Sequence, residues 1–503
     1  MRTGHRLLAL AGALAVPLAV SAQDEQPAAD TAKSAYTLPG DIREQAVELR
    51  DSAAENSRAF ETVTSLTTEV GNRLAGSAGD RAAVAWALLK LRELGFDNVR
   101  AEKVNVPHWV RGNLDAEIAA PFPQHLVATS LGGSIGTTEE GIEAPVIMAD
   151  NMAALKDMDP DDVGDKIVFI ADPMQRTRDG SGYGKAVMKR VNGAAEAARL
   201  GARAVVIRSV GTGNSRIAHT GITIYNPEVR RIPAIAISNP DADMLQRQLA
   251  TGHDVTVRIA STARYLPPAE SANVIGEIPG SDDDAGMVLL AAHLDSWDVG
   301  TGAIDDGAGV AIVTEAARLV GEMHGKPKRT IRVVLFANEE FGLSGAKAYA
   351  KAHADEIGDH VLAMEADFGA GRVWRLGSNV PEDQLPRVAA FARLLEPLGV
   401  ERGENGSEGG ADIGPLNAKG VPVLAPVQDG THYFDWHHTI DDTPDKIDPA
   451  ALNQNVAVYA TLAYLAANLD EDFGRVPEHA EEPGFGPGSK QEDEDEEKAS
   501  DGN

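Results

Sequence analysis

Histidine and acidic residues recur in four short stretches in the second half of the chain, and their types suit metal binding. The stretches supply His293, Asp295, Asp305, the pair Glu339-Glu340, Asp367 and the pair His437-His438. Imidazole nitrogens and carboxylate oxygens without thiolates suit zinc in a hydrolytic site. Any one of these residues alone is more commonly a cap, a turn or a surface residue. Their combination predicts metal-dependent hydrolysis.

The spacing of these residues indicates how they divide the work. His293 and Asp295 are two residues apart, so on a strand both side chains face the same way. Because a metal-bound histidine usually gives its second ring N–H to a carboxylate, Asp295 is expected to orient His293. In the pair Glu339-Glu340, one carboxylate can bind metal while its neighbour handles the proton of a water. Two histidines and three carboxylates serve two metals only if one carboxylate bridges, which points to a two-metal hydrolase.

Strands and helices alternate from residue 273 onward. Apolar runs predict strands at Asn273–Ile278, Met287–His293, Thr330–Ala337, Val361–Asp367 and Val421–Val427. Helical spacing predicts helices at Gly307–Val320, Gly345–Ile357, Leu385–Leu398 and Pro449–Leu469. We therefore expect an α/β fold with a mixed, largely parallel sheet between helices. The candidate residues follow the carboxyl ends of these strands, where such sheets carry their functional groups.

The region before residue 273 changes in composition near Pro121. Helical spacing marks Ile42–Leu66 and Asp80–Leu94, and Val99–Val106 is expected to form a strand. Beyond Pro121, short apolar runs punctuated by Gly, Pro and Asn predict a small β-rich segment. We predict that residues 41–120 and 266–472 form the main domain and that residues 121–265 are inserted into it.

The two ends of the chain are expected to lie outside this fold. Arg2 and Arg6 precede the apolar run Leu7–Val20, and small residues close it at Ala22. Residues 1–22 therefore resemble a secretory signal peptide, too short to span a membrane, and residues 23–40 a flexible linker. Residues 473–503 are predicted to be an acidic, disordered tail. The mature protein is expected to be exported, to the periplasm or the exterior.

The composition excludes several classes of partner. The net charge of -30 argues against binding to nucleic acid or to an anionic membrane surface. The chain has no Cys, so neither disulfides nor a cysteine nucleophile are available. An exported chain without Cys fits a bacterial periplasm or exterior.

Several motifs resemble those of the co-catalytic di-zinc exopeptidases, a family of aminopeptidases and glutamate carboxypeptidases, and most closely its carboxypeptidase Q subgroup. The matching stretches are "NRLAGSAGD" (Asn72–Asp80), "HLDSWDVGTGAIDDGAG" (His293–Gly309), "FANEEFGLSGA" (Phe336–Ala346), "MEADFGA" (Met364–Ala370) and "YFDWHHTIDDTPDKID" (Tyr433–Asp448). The stretches "GDKIVFI" (Gly164–Ile170) and "RIPAIAIS" (Arg231–Ser238) resemble a protease-associated insert, which in relatives shapes the substrate pocket.

The resemblance implies a role for each candidate residue. His293 and Asp367 would bind one zinc, Glu340 and His438 the other, and Asp305 would bridge the two. Glu339 would be the general base, and Asp295 would orient His293. His438 is chosen over His437 because the family ligand directly precedes a Thr or Ser, here Thr439. Some relatives have Tyr at the position of His437, so the resemblance assigns no oxyanion donor.

The same resemblance implies a cis peptide bond between Asp305 and Asp306, two zinc ions per chain, and small peptide substrates. A homodimer is a further candidate assembly. Two alternatives stay open: a single-zinc enzyme similar to glutaminyl cyclases, and a non-catalytic peptide-binding or receptor module on the same fold. Metal content separates them, because two zinc ions favour the peptidase, one favours the cyclase and none favours the binding module.

Overall fold

The computed structural model describes residues 36–480. The predicted signal peptide, most of the predicted linker and residues 481–503 of the predicted tail lie outside the described residues. Residues 473–480 of that predicted tail are described, and Phe473 is buried against Phe391, so the packed part of the chain extends beyond the predicted boundary. Within residues 36–480, none of the helices combines the length and the apolar composition needed to cross a bilayer.

Sixteen strands are present in the described part of the chain. In chain order they are β1 Asp97–Val110, β2 Leu114–Ala120, β3 Gln124–His125, β4 Ala128–Ser130, β5 Ile142–Ala149, β6 Ile167–Ile170, β7 Ala204–Arg208, β8 Ala234–Ile237, β9 Thr256–Ser261, β10 Arg264–Ile278, β11 Met287–His293, β12 Thr330–Phe336, β13 His360–Glu365, β14 Val373–Asn379, β15 Glu401–Asn405 and β16 Val423–Gln428.

The strands form two sheets of eight. The first sheet has the order β1-β10-β12-β11-β13-β16-β14-β15. Its four central strands, β12, β11, β13 and β16, run parallel to one another, and antiparallel pairs join β10 and β14 to this block. The predicted mixed α/β sheet is confirmed, and its parallel part is the centre.

The second sheet has the order β3-β2-β9-β5-β6-β7-β8-β4. Its strands fall between residues 114 and 261, and β2 precedes the boundary predicted at residue 121. The chain reaches this sheet along β1 and leaves it along β10, which pair antiparallel over most of their length. The entry and the exit are therefore side by side, as an insertion requires. The assignment of residues 121–265 as a protease-associated insert stays a prediction.

Thirteen α-helices flank the sheets within residues 36–480. In chain order they are α1 Gly40–Asn56, α2 Ala59–Glu69, α3 Ala78–Glu93, α4 Met152–Lys156, α5 Pro160–Val163, α6 Ser181–Arg199, α7 Asn239–Leu249, α8 Ala308–Gly321, α9 Ser344–Ala352, α10 Leu385–Leu395, α11 Gly414–Ala418, α12 Tyr433–Trp436 and α13 Pro449–Asn468.

The core explains why the helices near the site are so apolar. Helices α8 and α13 are buried on almost every side, so neither carries the polar stripe of a surface helix. They share one large apolar cluster with one face of the first sheet, while α9 packs on its other face. This packing fixes the turn before α8, where Asp305 lies.

One predicted helix is divided in the structure. The helical spacing over Ile42–Leu66 belongs to two helices, because the chain breaks at Ser57 and Arg58 between α1 and α2. The Ser57 hydroxyl accepts a hydrogen bond from the backbone N–H of Ala59 and so helps to start the second helix.

Candidate metal centre

The parallel strands bring the predicted residues to one edge of the first sheet. His293 is the last residue of β11, and Glu339 and Glu340 follow shortly after β12. Asp367 lies two residues beyond the end of β13, and His438 follows α12 in the loop that leaves β16. All these strand ends point the same way, so side chains far apart in sequence meet at this edge.

Asp305 lies between two groups of donor atoms. On one side, His293 Nε2 is 3.1 Å from Asp305 Oδ1 and 3.3 Å from Asp367 Oδ1. On the other side, His438 Nε2 is 3.1 Å from Asp305 Oδ2 and 2.9 Å from Glu340 Oε2. The two carboxylate oxygens of Asp305 therefore each belong to a different group, as a bridging ligand requires.

Glu339 lies beside the first group. One carboxylate oxygen of Glu339 is within 4.8 Å of donor atoms of both His293 and Asp367. Glu339 is thus close enough to act on a water held at the centre, and its neighbour Glu340 faces the second group.

The carboxylates of the centre lack enough hydrogen-bond donors and positive charge from the protein itself. The buried oxygens Asp305 Oδ2 and Glu340 Oε1 accept no hydrogen bond of good geometry. Burying several carboxylates without compensating charge is costly. Divalent cations at the two groups would compensate that charge, and the nitrogen and oxygen donors suit zinc.

The ionisation of the carboxylates reflects this crowding. Burial alone would raise the pKa of Asp305, but the close His293 and His438 rings outweigh it and hold the pKa well below its usual range. Burial raises the pKa of Glu339 well above its usual range, and the charge of Asp367 raises it further. Glu339 is therefore the stronger base, which suits a residue that takes and returns a proton.

Asp295 supports the centre through both its backbone and its side chain. Its backbone oxygen is 3.0 Å from His293 Nδ1, whereas its carboxylate Oδ1 is 3.7 Å from the same nitrogen. That Oδ1 atom accepts a hydrogen bond of 3.0 Å from the backbone N–H of Glu339. Asp295 thus orients His293 mainly through its carbonyl and holds the start of the Glu339 turn with its carboxylate.

Asp306 holds the turn on which Asp305 is carried. Its carboxylate accepts the backbone N–H of His293 at 3.1 Å and that of Gly309 at 3.0 Å. The peptide bond between Asp305 and Asp306 is cis, as the family resemblance implied. Asp306 therefore has a structural role next to the proposed bridging ligand.

Two buried residues with no role assigned from the sequence hold the loop between β11 and α8. Arg73 donates to the carbonyl oxygens of Leu294 and Gly302, at 2.7 and 3.0 Å. Asp442 accepts from the backbone N–H groups of Ala303 and Ile304, at 2.8 and 2.7 Å. Arg73 lies in "NRLAGSAGD" and Asp442 in "YFDWHHTIDDTPDKID", so the motifs contained both residues without revealing their contacts.

The structure distinguishes the two neighbouring histidines by distance. His437 Nε2 is 3.5 Å from Asp305 Oδ2, farther than His438 Nε2, and its ring stacks on that of His438 with 3.5 Å between ring centres. Within the described residues, His438 forms an ion pair with Glu340 and His437 does not. His438 is thus the better-placed second ligand.

A cavity of about 390 Å³ opens directly onto the centre. Its walls include Asp305 and Glu339 from the first sheet, and Tyr183 and Arg190 from helix α6 beside the second sheet. A pocket of this size suits a small ligand. Both halves of the molecule therefore line the space in front of the proposed metal ligands.

Comparisons with known proteins identify relatives of this chain. The profile of peptidase family M28 matches residues 273–463. Carboxypeptidase Q of Bos taurus is 35% identical over 87% of this chain and 91% of its own length. The crystal structure of a peptidase M28 precursor from Shewanella amazonensis covers 87% of this chain and 99% of its own, with 47% identity and a TM-score of 0.86. The fold is also that of BSAP, a zinc aminopeptidase from Bacillus subtilis, with 23% identity, a TM-score of 0.60 and coverage of 82% of this chain and 95% of that one.

The alignments with these three relatives cover 82–87% of the chain. The predicted enzyme class, a metallo-exopeptidase, is confirmed, and the chain belongs to peptidase family M28.

Proposed function

We propose that this protein is an exported two-zinc exopeptidase that hydrolyses dipeptides or short peptides with a free amino terminus. The observation that carries the proposal is the position of Asp305. Each of its oxygens lies near a separate histidine and a separate carboxylate. A single-metal site needs no such shared residue, so the arrangement favours two metals.

Each ligand group has a defined composition in this proposal. His293 and Asp367 would hold one zinc, Glu340 and His438 would hold the second, and Asp305 would contribute to both groups. Two zinc ions bound there would lower the pKa of a shared water and polarise the scissile carbonyl. Because the donor set has two carboxylate oxygens and one imidazole on each side, both ions keep room for water and substrate.

Glu339 is the proposed general base. It takes a proton from the attacking water and passes it to the nitrogen of the leaving amine. Its raised pKa lets it hold that proton between the two steps. Asp295 keeps Glu339 in place through the hydrogen bond to its backbone N–H.

The proposed substrates follow from the size and charge of the cavity. Its volume of about 390 Å³ suits a short peptide. Carboxylates that face this space favour a positively charged amino terminus over an acylated one. The acidic chain, with a net charge of -30, adds a weak bias in the same direction.

A substrate panel tests this proposal directly. Purified protein with zinc is offered dipeptides and aminoacyl arylamides, each paired with its N-acetylated form. We expect hydrolysis of the free forms and little hydrolysis of the acetylated ones. Efficient hydrolysis of N-acetyl-aspartyl-glutamate would instead support a glutamate carboxypeptidase, and cyclisation of N-terminal glutamine would support the cyclase.

Export and assembly are also proposals. The motif at residues 1–22 supports export. Cell fractionation tests where the full chain is found, and the first residue of the mature protein shows whether the motif is removed. A homodimer stays a prediction, and sedimentation of the purified protein distinguishes it from a monomer.

A further inference from the structure

A buried arginine lies behind the proposed second metal ligand without an acidic partner. Arg190 is 4% exposed, and no carboxylate of residues 36–480 forms an ion pair with its guanidinium group. Its NH1 atom is 3.3 Å from His438 Nδ1 and 3.4 Å from the carbonyl oxygen of Thr220, and its Nε atom has no hydrogen-bond partner. A buried cation that is short of partners, beside a cavity, is suited to stabilise negative charge that develops in that cavity.

Arg190 acts on the cavity through a tyrosine. Its NH2 atom donates a hydrogen bond of 2.6 Å to the Tyr183 hydroxyl oxygen. The Tyr183 ring stacks on Phe434 with 4.9 Å between ring centres, and its edge faces His437 at 5.4 Å. The ring is therefore fixed, and its hydroxyl oxygen is engaged as an acceptor. The hydroxyl hydrogen is left to donate.

Tyr183 and Arg190 line the same cavity as Asp305, Glu339 and Glu340. Burial raises the pKa of Tyr183 to about 12, so the hydroxyl keeps its hydrogen at neutral pH. The cavity thus has the proposed base on the first sheet and a polarised hydrogen-bond donor on helix α6. These are the two kinds of group that attack on a carbonyl requires.

We propose that Tyr183, held and polarised by Arg190, donates a hydrogen bond to the scissile carbonyl oxygen as that oxygen becomes an oxyanion. This inference rests on the proposed function. Arg190 is a positioning residue in it, and Tyr183 is the catalytic residue.

The electron and proton balance of the step is simple. The water oxygen forms a bond to the carbonyl carbon, and the π electron pair moves onto the carbonyl oxygen. Glu339 receives the water proton. Tyr183 keeps its own hydrogen, and its hydrogen bond to the oxygen shortens as negative charge accumulates there. Loss of one such donor typically lowers kcat by about 10²–10³-fold.

Tyr433 is the competing candidate, because it also lines the cavity. Its ring packs against Phe368 at 5.0 Å and His437 at 4.9 Å. Tyr183 is favoured because a buried guanidinium group donates to its hydroxyl oxygen and so directs and polarises its hydrogen. Removing each hydroxyl separately distinguishes the two residues.

The test compares Tyr183→Phe, Tyr433→Phe and Tyr225→Phe in the full chain with zinc. Tyr225 is the matched control, since its hydroxyl donates to the backbone of Ile232 away from the cavity. Each variant is assayed for zinc content, for kcat and KM on the best dipeptide, and for the Kd of two probes. One probe is a phosphinic dipeptide whose tetrahedral phosphorus replaces the scissile carbonyl carbon, and the other is the product amino acid.

We expect Tyr183→Phe to keep its zinc and its KM, to lose about 10²–10³-fold in kcat and to bind the phosphinic probe more weakly by a similar factor. Binding of the product should change little, and Tyr225→Phe should behave like the wild type. Arg190→Gln should show a smaller loss of the same kind.

Three results would overturn the inference. Either Tyr183→Phe retains wild-type kcat, or it weakens the phosphinic probe and the product equally, as a merely structural change would. A loss confined to Tyr433→Phe also overturns it and assigns the donor to that residue. If the wild type binds no zinc and cleaves no peptide, the proposed function itself fails, and that failure is visible before any variant is compared.

Discussion

At the scale of single residues, neighbouring acids do different work because their surroundings differ. Asp305 has histidines on both sides, which hold its pKa well below the usual range despite its burial. Asp306 is buried with other carboxylates nearby, and its pKa is raised well above the usual range. The first is suited to bind cations, and the second accepts backbone N–H groups.

The pair Glu339-Glu340 gives the first prediction. Glu339→Gln should retain both zinc ions and lose about 10²–10⁴-fold in kcat, because only the proton acceptor is removed. Glu340→Gln is the matched change one residue along, and it should lose zinc because Glu340 Oε2 lies in the second ligand group. Zinc analysis and steady-state kinetics measure both effects. Equal zinc loss in the two variants would show that the roles are assigned wrongly.

The two histidines give the second prediction. His438→Asn should lower zinc binding at the second group, because His438 Nε2 is close to both Asp305 and Glu340. His437→Asn should keep two zinc ions per chain, since His437 is the more distant of the two from Asp305. Elemental analysis after dialysis compares them. Zinc loss in His437→Asn alone would make His437 the ligand.

The sequence predicted which residues form the candidate site better than it predicted the contacts that hold them. The seven candidate residues lie together at one edge of the first sheet. That edge could be predicted because the apolar runs in the sequence mark where its strands end. Asp298 forms an ion pair with Arg111, a contact that no motif indicated. The role of Arg190 was also not predicted. The contact between Arg111 and Asp298 joins residues 187 positions apart, and no local spacing encodes it.

At the scale of elements, the central parallel strands were predictable and the edge of the sheet was not. Strand β11 has the predicted bounds, because its buried apolar run ends abruptly at His293. Strands β14 and β15 were not predicted, since their sequences VWRLGSN and ERGEN are too polar to form apolar runs. Edge strands are buried less than central ones, so their patterns are weaker.

The start of α8 gives the third prediction. A Cβ at Gly309 would overlap the carbonyl oxygen of Ala366 and the carboxylate of Asp306. Gly309→Ala should therefore lower the free energy of unfolding by about 1–3 kcal/mol, the usual cost of overpacking. Denaturant unfolding measures this loss.

Gly184 in helix α6 is the control for that change. It is exposed, and a Cβ there would meet nothing within 4 Å. Gly184→Ala should raise the free energy of unfolding by up to about 1 kcal/mol, because Ala favours the helix. If Gly309→Ala is no less stable than Gly184→Ala, the close approach of α8 to Asp306 is contradicted.

At the scale of the whole molecule, two sheets divide the tasks of the enzyme. The first sheet carries the proposed metal ligands and the base, and the elements of the second sheet reach over the same cavity with Tyr183 and Arg190. The sequence indicated a β-rich insert but not which of its residues face the cavity, because that depends on how the two sheets pack.

Stability against pH gives the fourth prediction, from His360, which begins strand β13 at the end opposite to Asp367. His360 is fully buried and is hydrogen-bonded to the Tyr349 hydroxyl at 2.9 Å and the Glu356 carbonyl at 2.9 Å. The pKa of His360 is lowered from 6.5 to about 4, mainly by burial. The hydrogen bond to the Glu356 carbonyl and the charge of the Glu356 carboxylate raise this pKa, whereas the charges of Arg332 and His353 lower it further.

The sign follows from proton binding. Between pH 6.5 and about 4 the unfolded chain binds a proton at His360 and the folded chain does not. The stability contributed by neutral His360 is therefore complete above pH 6.5 and declines as the pH falls towards 4, by a few kcal/mol in all. In denaturant unfolding, His360→Gln should lose less stability over this range than the wild type. Parallel curves for the two proteins would contradict the role of His360.

The measurement that tests the central claim most directly is the number of zinc ions bound per chain, determined by titrating metal-free protein and following peptidase activity. We predict two equivalents for the wild type. Asp305→Ala should lose more than one equivalent, because its two oxygens lie in different ligand groups, whereas Asp298→Ala from the same loop should keep both. Full activity with one equivalent bound, or an Asp305→Ala variant that still binds two, would contradict the two-zinc centre.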